Sequence, residues 1–228
     1  SERYLVAEPG LQVARLRLGP EARIDTLPYG QRVTINGVKV SLHPAGHILG
    51  SAQVRIEDGK TWVITGDYKT EPDQTCAPFE PLKCHGLVTE STFGLPIYRW
   101  RPDAEVFAEI DAWWAANQAA GKCSVITGYS LGKAQRILAG LSERGPIVVH
   151  GAVSRINEAY KWAGVKLPKV QTVHELKRGF DFGQAMVVAP PGAIATPWVR
   201  RFGDCSTAFA SGWMAIRGGR RRSNVDRG

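Results

Sequence analysis

The feature that most constrains the fold is an alternation of short apolar runs with helical patterns in the second half of the chain. Apolar runs at Ser124–Thr127 and Ile147–His150 are each followed by a helical pattern, at Lys133–Leu141 and Ser154–Ala163. A strand, a helix and a further strand in this order favour a parallel sheet with helical crossovers. The region is therefore expected to fold around a parallel sheet.

A long helix is predicted before this alternation, and two strands are predicted after it. Asp103–Ala120 has apolar residues at helical spacing, acidic residues near its start and Gly121 beyond its end. Met186–Ala189 and Thr207–Ala215 have the composition of strands. An α/β fold class is thus expected from residue 95 onward.

The first 94 residues carry strand patterns instead of this alternation. The Asn36-Gly37 pair between two apolar runs is a strong hairpin signal, and Glu57–Lys60 separates the strands of a second hairpin. Val13–Leu18 alternates apolar and basic residues and is also expected to be a strand. The remaining strands expected in this region are Arg32–Ile35, Val38–Leu42, Ala52–Ile56, Thr61–Thr65 and Gly86–Thr89.

Charge is divided unevenly along the chain. Residues 1–94 hold 10 Lys and Arg against 11 Asp and Glu, whereas residues 95–228 hold 19 against 10 and include the basic run Arg217–Arg222. A surplus confined to one region suits a polyanion-binding surface, because each neutralised phosphate releases counterions. A solvated surface of a basic protein is the equally weighted alternative.

Membrane proteins and disulfide-rich secreted proteins are disfavoured. No apolar run approaches the roughly 18 to 20 residues that span a bilayer, and the first residues show no signal-peptide pattern. The four cysteines lack a Cys-x-x-Cys spacing, which suits reduced thiols better than a disulfide framework or a zinc knuckle. A cytoplasmic protein is expected.

The segment His43–Ser51, with the sequence H-P-A-G-H-I-L-G-S, lies between two predicted strands and contains two histidines. Four residues of separation would place both histidines on one face of a helix, as in a zinc protease. Pro44 and Gly46 argue against a helix, so the segment is expected to be a rigid turn that aims one histidine.

The hairpin that follows should bring a carboxylate to this turn. If it centres on Asp58-Gly59, positions summing to about 117 face each other, which places Asp67 beside Gly50 and within reach of His47. An imidazole and a carboxylate from neighbouring strand ends suit zinc, and a bridging carboxylate is typical of two-metal hydrolytic sites. Glu90 ends a third short strand at the same sheet edge. Taken singly, His47 and Asp67 suit a hydrogen-bonded loop histidine and a turn or cap residue better.

Two further places are candidates for nucleic-acid binding. Thr127–Lys133 has the pattern of a strand, a glycine-containing turn and a helix start, where amides could bind phosphate with Ser130, Lys133 and Arg136. A simple helix cap is the alternative. Arg99 and Trp100 lie in a stretch that interleaves aromatic and basic side chains, which suits stacking on a single strand or, equally, a packed tryptophan beside solvated arginines.

Several segments together resemble a known family. H-P-A-G-H-I-L-G-S, I-T-G-D-Y and T-E-S-T-F-G resemble successive motifs of metallo-β-lactamase-fold nucleases that carry the β-CASP insertion. The segments that resemble the bacterial ligase-associated DNA exonuclease branch are G-D-Y-K-T-E-P-D, G-L-P-I-Y-R-W, Y-S-L-G-K-A-Q-R, H-G-A-V and A-S-G-W-M. The resemblance covers nearly the whole chain.

The resemblance implies a fold and a function. Residues 1–94 would be part of a metallo-β-lactamase αββα sandwich, and residues 95–228 would be an inserted β-CASP α/β domain whose last residues return to the core. The complete protein would be a zinc-dependent DNA exonuclease in DNA repair that uses two zinc ions, takes single-stranded or end-containing DNA and works with a DNA ligase. An RNA-processing β-CASP ribonuclease and a non-catalytic nucleic-acid-binding module are the alternatives.

The resemblance also assigns roles to residues and shows what is missing. His47 would be a zinc ligand, Asp67 the carboxylate that bridges both zinc ions, and Glu90 the acid that orients a downstream catalytic histidine. The family's H-x-H-x-D-H motif and its later histidine motifs have no counterpart in this sequence. His85, His150 and His174 are interpreted as structural or surface residues. The sequence is therefore expected to be the middle of a larger enzyme and to be inactive alone.

Overall fold

A computed structural model describes residues 3–212 of the chain and divides them into two units. The first unit comprises the residues up to Thr92 together with Glu158–Lys166, and the second comprises Phe93–Asn157 and the residues from Leu167 onward. The basic run Arg217–Arg222 and the end of the strand predicted at Thr207–Ala215 lie outside the described residues.

The first unit contains a mainly antiparallel sheet of five strands in the order β3-β4-β5-β6-β7, in which β7 runs parallel to β6. A separate parallel pair, β1 and β2, packs Ala7 and Leu27 against Leu42 of this sheet. The elements are β1 (Tyr4–Ala7), α1 (Leu11–Leu18), β2 (Ile24–Leu27), β3 (Arg32–Ile35), β4 (Val38–Pro44), β5 (Ala52–Asp58), β6 (Lys60–Ile64) and β7 (Gly86–Val88).

The first predicted hairpin is confirmed. β3 and β4 pair in the register that places Ile35 opposite Val38, so Asn36 and Gly37 form a two-residue turn. Both turn residues have positive φ, 50° and 84°, which matches the twist of the strands and explains the Asn-Gly sequence.

The strand predicted at Val13–Leu18 is wrong, because this segment lies in helix α1. Leu, Arg, Ala and Gln are strong helix formers, and the apparent alternation arises from two arginines interspersed among leucines. Gly19 follows the last residue with φ 93°, and its amide bonds to the carbonyl of Arg15. The helix therefore ends at a glycine, as helices commonly do.

The second hairpin forms with a register that differs by one residue from the prediction. Asp58 pairs with Lys60 around Gly59, so facing positions sum to 118. The strands extend into the expected turn because Gly59, with φ 64°, reverses the chain alone. Continuing this register places Asp67 opposite Ser51 rather than Gly50.

The second unit is built on the predicted parallel sheet, whose five strands have the order β10-β9-β11-β8-β12 and all run parallel. The α/β class is therefore confirmed, whereas the αββα sandwich and the domain boundary at residue 94 remain predictions. The elements that begin in this unit are α2 (Asp103–Ala119), β8 (Cys123–Thr127), α3 (Lys133–Gly140), β9 (Ile147–Val149), α4 (Gly151–Trp162), β10 (Gln171–Thr172), β11 (Met186–Ala189) and β12 (Cys205–Phe209).

Successive residues of the central strands face opposite sides of this sheet. Val149 and Val188 pack on a core that includes Trp114 of α2 and residues of α3 and α4. Val148 and Val187 face the other core, which is covered by irregular segments between residues 173 and 202. Within residues 3–212, no helix combines the length and apolar character that crossing a membrane requires.

Candidate functional site

His47 lies in the turn that joins β4 to β5, residues 45–51, which we call the His47 turn. The hydroxyl of Ser51 accepts hydrogen bonds from the amides of His47 and Ile48, each at 3.1 Å. The amide of Ala45 donates to the carbonyl of Ser51 at 3.2 Å. Residues 45–51 form a turn and no helix, as predicted from Pro44 and Gly46.

Two glycines allow the His47 turn to pack closely against its neighbours. A Cβ atom on Gly46, which has φ 72°, would lie 2.3 Å from the carbonyl oxygen of Lys69. A Cβ atom on Gly50, with φ 77°, would lie 2.1 Å from Cα of Gly10. Any side chain at these positions would displace backbone.

A network of buried hydrogen bonds fixes the base of this turn. The amide nitrogen of Gln53, a buried residue of β5, donates to the carbonyls of Pro44 and Glu80 at 2.9 and 2.7 Å. The amide of Glu80 donates to the carbonyl of Pro44 at 3.1 Å, and the amide of Lys69 donates to that of Ala45 at 3.0 Å. These hydrogen bonds attach the segment that follows β6 to the base of the His47 turn.

Tyr29, which lies between β2 and β3, also stabilises the His47 turn. Its hydroxyl donates to the carbonyl of Ser51 at 3.0 Å. Burial, with a smaller contribution from the thiol of Cys76, raises the pKa of Tyr29 to about 12. The hydroxyl therefore remains a protonated donor throughout the physiological pH range.

His47 and Asp67 lie close together, as the hairpin argument predicts. Nε2 of His47 and Oδ2 of Asp67 are 3.9 Å apart, and the two side chains are 44% and 73% exposed. The carboxylate faces the imidazole although the register differs by one residue, because Gly66 and Asp67 lie beyond the end of β6 and are not held in the ladder. Both groups are open to solvent.

Glu90 lies within electrostatic reach of His47. Its carboxylate accepts hydrogen bonds from the hydroxyl and the amide of Thr92, which hold its pKa below the usual range against a smaller effect of burial. The amide of Tyr68 and the positive charge of a protonated His47 lower the pKa of Glu90 further. A carboxylate near His47 is thus kept ionised.

Two other histidines of this unit have structural partners. Nδ1 of His43 lies 3.0 Å from Oε1 of Glu80, and its Nε2 lies 3.0 Å from the hydroxyl of Ser41. Nδ1 of His85 accepts the amide of Thr61 at 3.0 Å. The Ser41–His43–Glu80 chain has the order of a hydrolytic triad, but the serine is only 1% exposed and cannot meet a substrate.

The predicted phosphate site at the start of α3 is largely satisfied by its own hydrogen bonds. The amide of Gly132 donates to Oε1 of Gln135 at 2.8 Å, and the amide of Lys133 donates to the carbonyl of Leu131 at 3.1 Å. The side-chain amide of Gln135 also donates to the carbonyl of Ser130 at 3.0 Å. These amides act as a helix cap, so phosphate binding here would depend on side chains.

The two cations of this segment differ in their surroundings. The guanidinium of Arg136 contacts both carboxylate oxygens of Asp103 at 2.5 and 2.7 Å. A phosphate would have to displace this carboxylate. Lys133 is half-buried, and its aliphatic stem lies so close to Gly128 that a Cβ there would be 2.6 Å from its Cγ.

Trp100 belongs to a cluster of three rings. Its ring is 5.0 Å from that of Phe93 in an edge-on arrangement and 5.9 Å from that of Tyr98 in a stacked one. Trp100 is nevertheless 46% exposed, and the neighbouring Arg99 is exposed too. The ring is partly packed and partly exposed. This is compatible with both predicted roles, stacking on a single strand and packing beside solvated arginines.

The sequence of the chain is similar to those of proteins with known names. The chain is 32% identical over 219 residues to a probable DNA ligase of Opitutus terrae, covering 93% of this chain and 21% of that protein. It is 35% identical over 130 residues to the endoribonuclease YSH1 of Yarrowia lipolytica, covering 53% of this chain and 15% of that protein. It is 34% identical over 124 residues to the cleavage and polyadenylation specificity factor subunit 3 of Dictyostelium discoideum, with 53% and 16% covered. No family model matches the sequence.

These relatives support the metallo-β-lactamase/β-CASP nuclease family. The chain spans about a fifth of the length of the DNA ligase and about a sixth of the length of the two RNA-processing proteins. The DNA-exonuclease branch in particular is not distinguished by these names.

The zinc ions implied by the β-CASP resemblance require more ligands than this cluster offers. A tetrahedral zinc site uses four ligands, and His47 and Asp67 could supply two of them. Glu90 is already held by Thr92 and Tyr68. Among residues 3–212, no three His, Cys, Asp or Glu side chains are grouped to hold a metal ion. The donors fit part of a zinc site and do not complete one.

Sequence reasoning missed the residues that hold the His47 turn in place. The partners of Gln53 and Glu80 lie in segments without regular structure, so no periodic pattern indicates them. A glutamine among the apolar residues of a strand, A-Q-V-R-I, was the available signal, because a buried amide must find hydrogen-bond partners.

Proposed function

We propose that this chain is part of a zinc-dependent nuclease that hydrolyses phosphodiester bonds of DNA, as an exonuclease in DNA repair. The observation that carries the proposal is that Nε2 of His47 lies 3.9 Å from Oδ2 of Asp67, at the ends of two neighbouring strands, with an ionised Glu90 near His47. The similarity to nucleases supports the reaction class.

His47 and Asp67 would hold the metal. A zinc ion held there would lower the pKa of a coordinated water to about 7 and so supply hydroxide at neutral pH. The chain's own contribution is orientation: Ser51 and the two glycines fix the backbone of His47, and Gln53 ties it to the segment beyond β6. Glu90 keeps a negative charge beside the imidazole, which favours its correct orientation toward a cation.

DNA is the proposed substrate because the relative that matches 93% of the chain is named a probable DNA ligase. The same match supports a functional association with a DNA ligase. A substrate that is single-stranded or carries an end is a further part of the proposal. A second candidate is an RNA-processing nuclease, which the endoribonuclease YSH1 favours over 53% of the chain. A cytoplasmic location is part of the proposal and is consistent with the free thiols of the described cysteines.

The test uses the complete protein and two variants. Asp67→Asn removes the carboxylate that would hold the metal, and Asp58→Asn is its control at the far end of the same hairpin, where the side chain is also exposed. We expect Asp67→Asn to lower cleavage of linear single-stranded DNA at least about 100-fold and Asp58→Asn to leave it unchanged. Circular single-stranded DNA should survive if the enzyme needs an end.

Each outcome decides between the candidates. Cleavage of an RNA of the same sequence, with the DNA left intact, would favour the RNA-processing nuclease. Binding of both nucleic acids without cleavage of either would favour a non-catalytic module. Equal loss of activity in Asp67→Asn and Asp58→Asn would contradict the assigned role of Asp67.

A further inference from the structure

One face of the parallel sheet is covered by two irregular segments, residues 173–184 and 190–202, which together we call the basic layer. It includes short 3-10 helices at Val173–Glu175, Phe182–Gln184 and Pro197–Phe202. Its apolar residues pack on Val125, Val148 and Val187 of the central strands. The helices α2, α3 and α4 contribute to the opposite core.

The basic layer carries cations that no acidic group neutralises. Lys177, Arg178, Arg200 and Arg201 are all exposed, and none forms an ion pair within residues 3–212. Elsewhere in the second unit some cations pair, such as Arg136 with Asp103, and others, such as Arg144, form no ion pair within residues 3–212. The layer differs from the rest of the unit in carrying four such cations on two short segments.

The carboxylates of the two acidic residues of the layer accept hydrogen bonds from nearby residues. A carboxylate oxygen of Glu175 accepts the amide and hydroxyl of Thr172 at 2.5 and 2.8 Å. Asp181 accepts the amide of Gly183 at 2.9 Å. Both carboxylates therefore stabilise the ends of 3-10 helices, and the exposed charge of the layer is positive.

A continuous chain of ring contacts holds this layer to the sheet. The centroids of neighbouring rings are 5.0 Å apart for Phe180 and Phe182, 5.0 Å for Phe182 and Phe202, and 4.7 Å for Phe202 and Trp198. The last contact joins Trp198 to His150 at 4.8 Å. The arginines next to Phe202 thus extend from packed backbone, which lowers the entropy cost of ordering them on a ligand.

His150 lies at the carboxyl end of β9, where the chain leaves the sheet. Connections from β9 and from its neighbour β11 lead to opposite sides of the sheet, and ligands of α/β sheets bind at such points. Nδ1 of His150 accepts the amide of Ala152 at 3.1 Å, and burial lowers the pKa of the ring. The neutral ring therefore carries its hydrogen on Nε2, where it can donate to a phosphate oxygen or a base.

We propose that the basic layer binds the phosphate backbone of a single-stranded nucleic acid, which passes Arg200, Arg201 and Trp198 toward His150. The proposal rests on the proposed function, since it names a contact surface for the substrate of that nuclease. The surface is separate from the residues predicted from the sequence at the start of α3. Trp198 and Arg201 are three residues apart in a 3-10 helix, and residues at this spacing share a face of such a helix.

The experiment measures binding of a labelled single-stranded oligonucleotide to the 228-residue chain at about 50 to about 200 mM salt. The test variants are Arg200→Ser/Arg201→Ser and Lys177→Ser/Arg178→Ser. The matched control is Arg144→Ser/Arg155→Ser, which removes the same charge from exposed positions outside the layer, before β9 and on α4. All six side chains are exposed, and thermal unfolding verifies that each variant is folded.

We expect each test variant to flatten the log-log dependence of affinity on salt by up to about 1.4, because two phosphate contacts are lost. Affinity near 50 mM salt should fall at least about tenfold. The control should lose less than half as much. Equal losses in test and control variants would overturn the proposal, because they would reflect net charge alone.

The proposal and the proposed function can fail separately. If the complete enzyme cleaves DNA normally while the layer variants bind and cleave like wild type, only the basic layer is refuted. If the wild-type chain binds no single-stranded nucleic acid at any of these salt concentrations, the basic layer is refuted whatever the fate of the catalytic proposal. Loss confined to the layer variants supports it.

Discussion

At the scale of the residue, two backbone amides of the His47 turn depend on one hydroxyl group, that of Ser51. Ser51→Ala should lower the free energy of unfolding by about 1 to 2 kcal/mol, since both amides lose their acceptor. Ser51→Thr keeps the hydroxyl and should recover most of the loss. Denaturant titration measures stability, and hydrogen exchange at His47 and Ile48 should accelerate in Ser51→Ala alone. Unchanged exchange would show that solvent replaces the serine.

Glu90 allows a second prediction at this scale. Thr92→Val removes the hydroxyl that contributes most to lowering the pKa of Glu90, so this pKa should rise toward its ordinary value. It should not reach that value, because the amide of Thr92 remains a donor. Carboxyl NMR titration gives the pKa, and Thr89→Val is the control, since its hydroxyl bonds the carbonyl of Glu90 and not the carboxylate.

The sign of the effect on stability follows from the direction of this shift. A carboxylate with a lowered pKa stabilises the fold above the pKa it has in the unfolded chain and loses this contribution as pH falls through the lowered value. Thr92→Val should therefore lower the free energy of unfolding at neutral pH. The further decrease of this free energy as the pH falls should be smaller in Thr92→Val than in wild type. A pKa of Glu90 that is equal in wild type and Thr92→Val would contradict the assigned cause.

At the scale of the element, patterns that are local in sequence predicted most of the fold. The Asn36-Gly37 hairpin and α2 depend on neighbouring residues, and the alternation after residue 123 fixes a parallel sheet. The prediction of a strand at Val13–Leu18 is wrong because a short segment with interspersed arginines fits the two-residue period of a strand as well as the 3.6-residue period of a helix. The proximity of His47 and Asp67 is predictable because the register of one hairpin relates them. The Gln53–Glu80 contact is not predictable in this way, since it spans 27 residues of mostly irregular chain.

The start of α3 gives the prediction at this scale. Arg136 pairs with Asp103 of α2, so binding a phosphate would require the guanidinium to leave its partner. Asp103→Asn should therefore strengthen binding of single-stranded DNA several-fold, while Arg136→Gln should weaken it. Glu143→Gln is the control, because Glu143 is exposed and forms no ion pair within residues 3–212, so its neutralisation removes a charge without releasing a cation. An equal response of binding to Asp103→Asn and Glu143→Gln would show that the start of α3 is a helix cap and no phosphate site.

At the scale of the whole molecule, charge and metal ligands are divided between different regions. Residues 1–94 contain His47, Asp67 and Glu90 and have 10 basic against 11 acidic residues, whereas residues 95–228 hold 19 against 10. A polyanion would therefore be attracted mainly by the second region, whereas the proposed metal ligands lie in the first. This separation lets metal binding be tested without nucleic acid.

The last prediction concerns zinc and the 228-residue chain. A ligand that binds only the folded state at about 100 times its Kd stabilises by about 2.7 kcal/mol, or roughly 5 to 10 °C in melting temperature for a chain of this size. His47 and Asp67 offer two ligands, and no group of three exists within residues 3–212, so zinc should shift the melting temperature by less than about 1 °C. EDTA should be equally without effect, and His47→Ala should melt alike with and without zinc. A shift of several degrees that His47→Ala abolishes would show that the chain completes a metal site by itself.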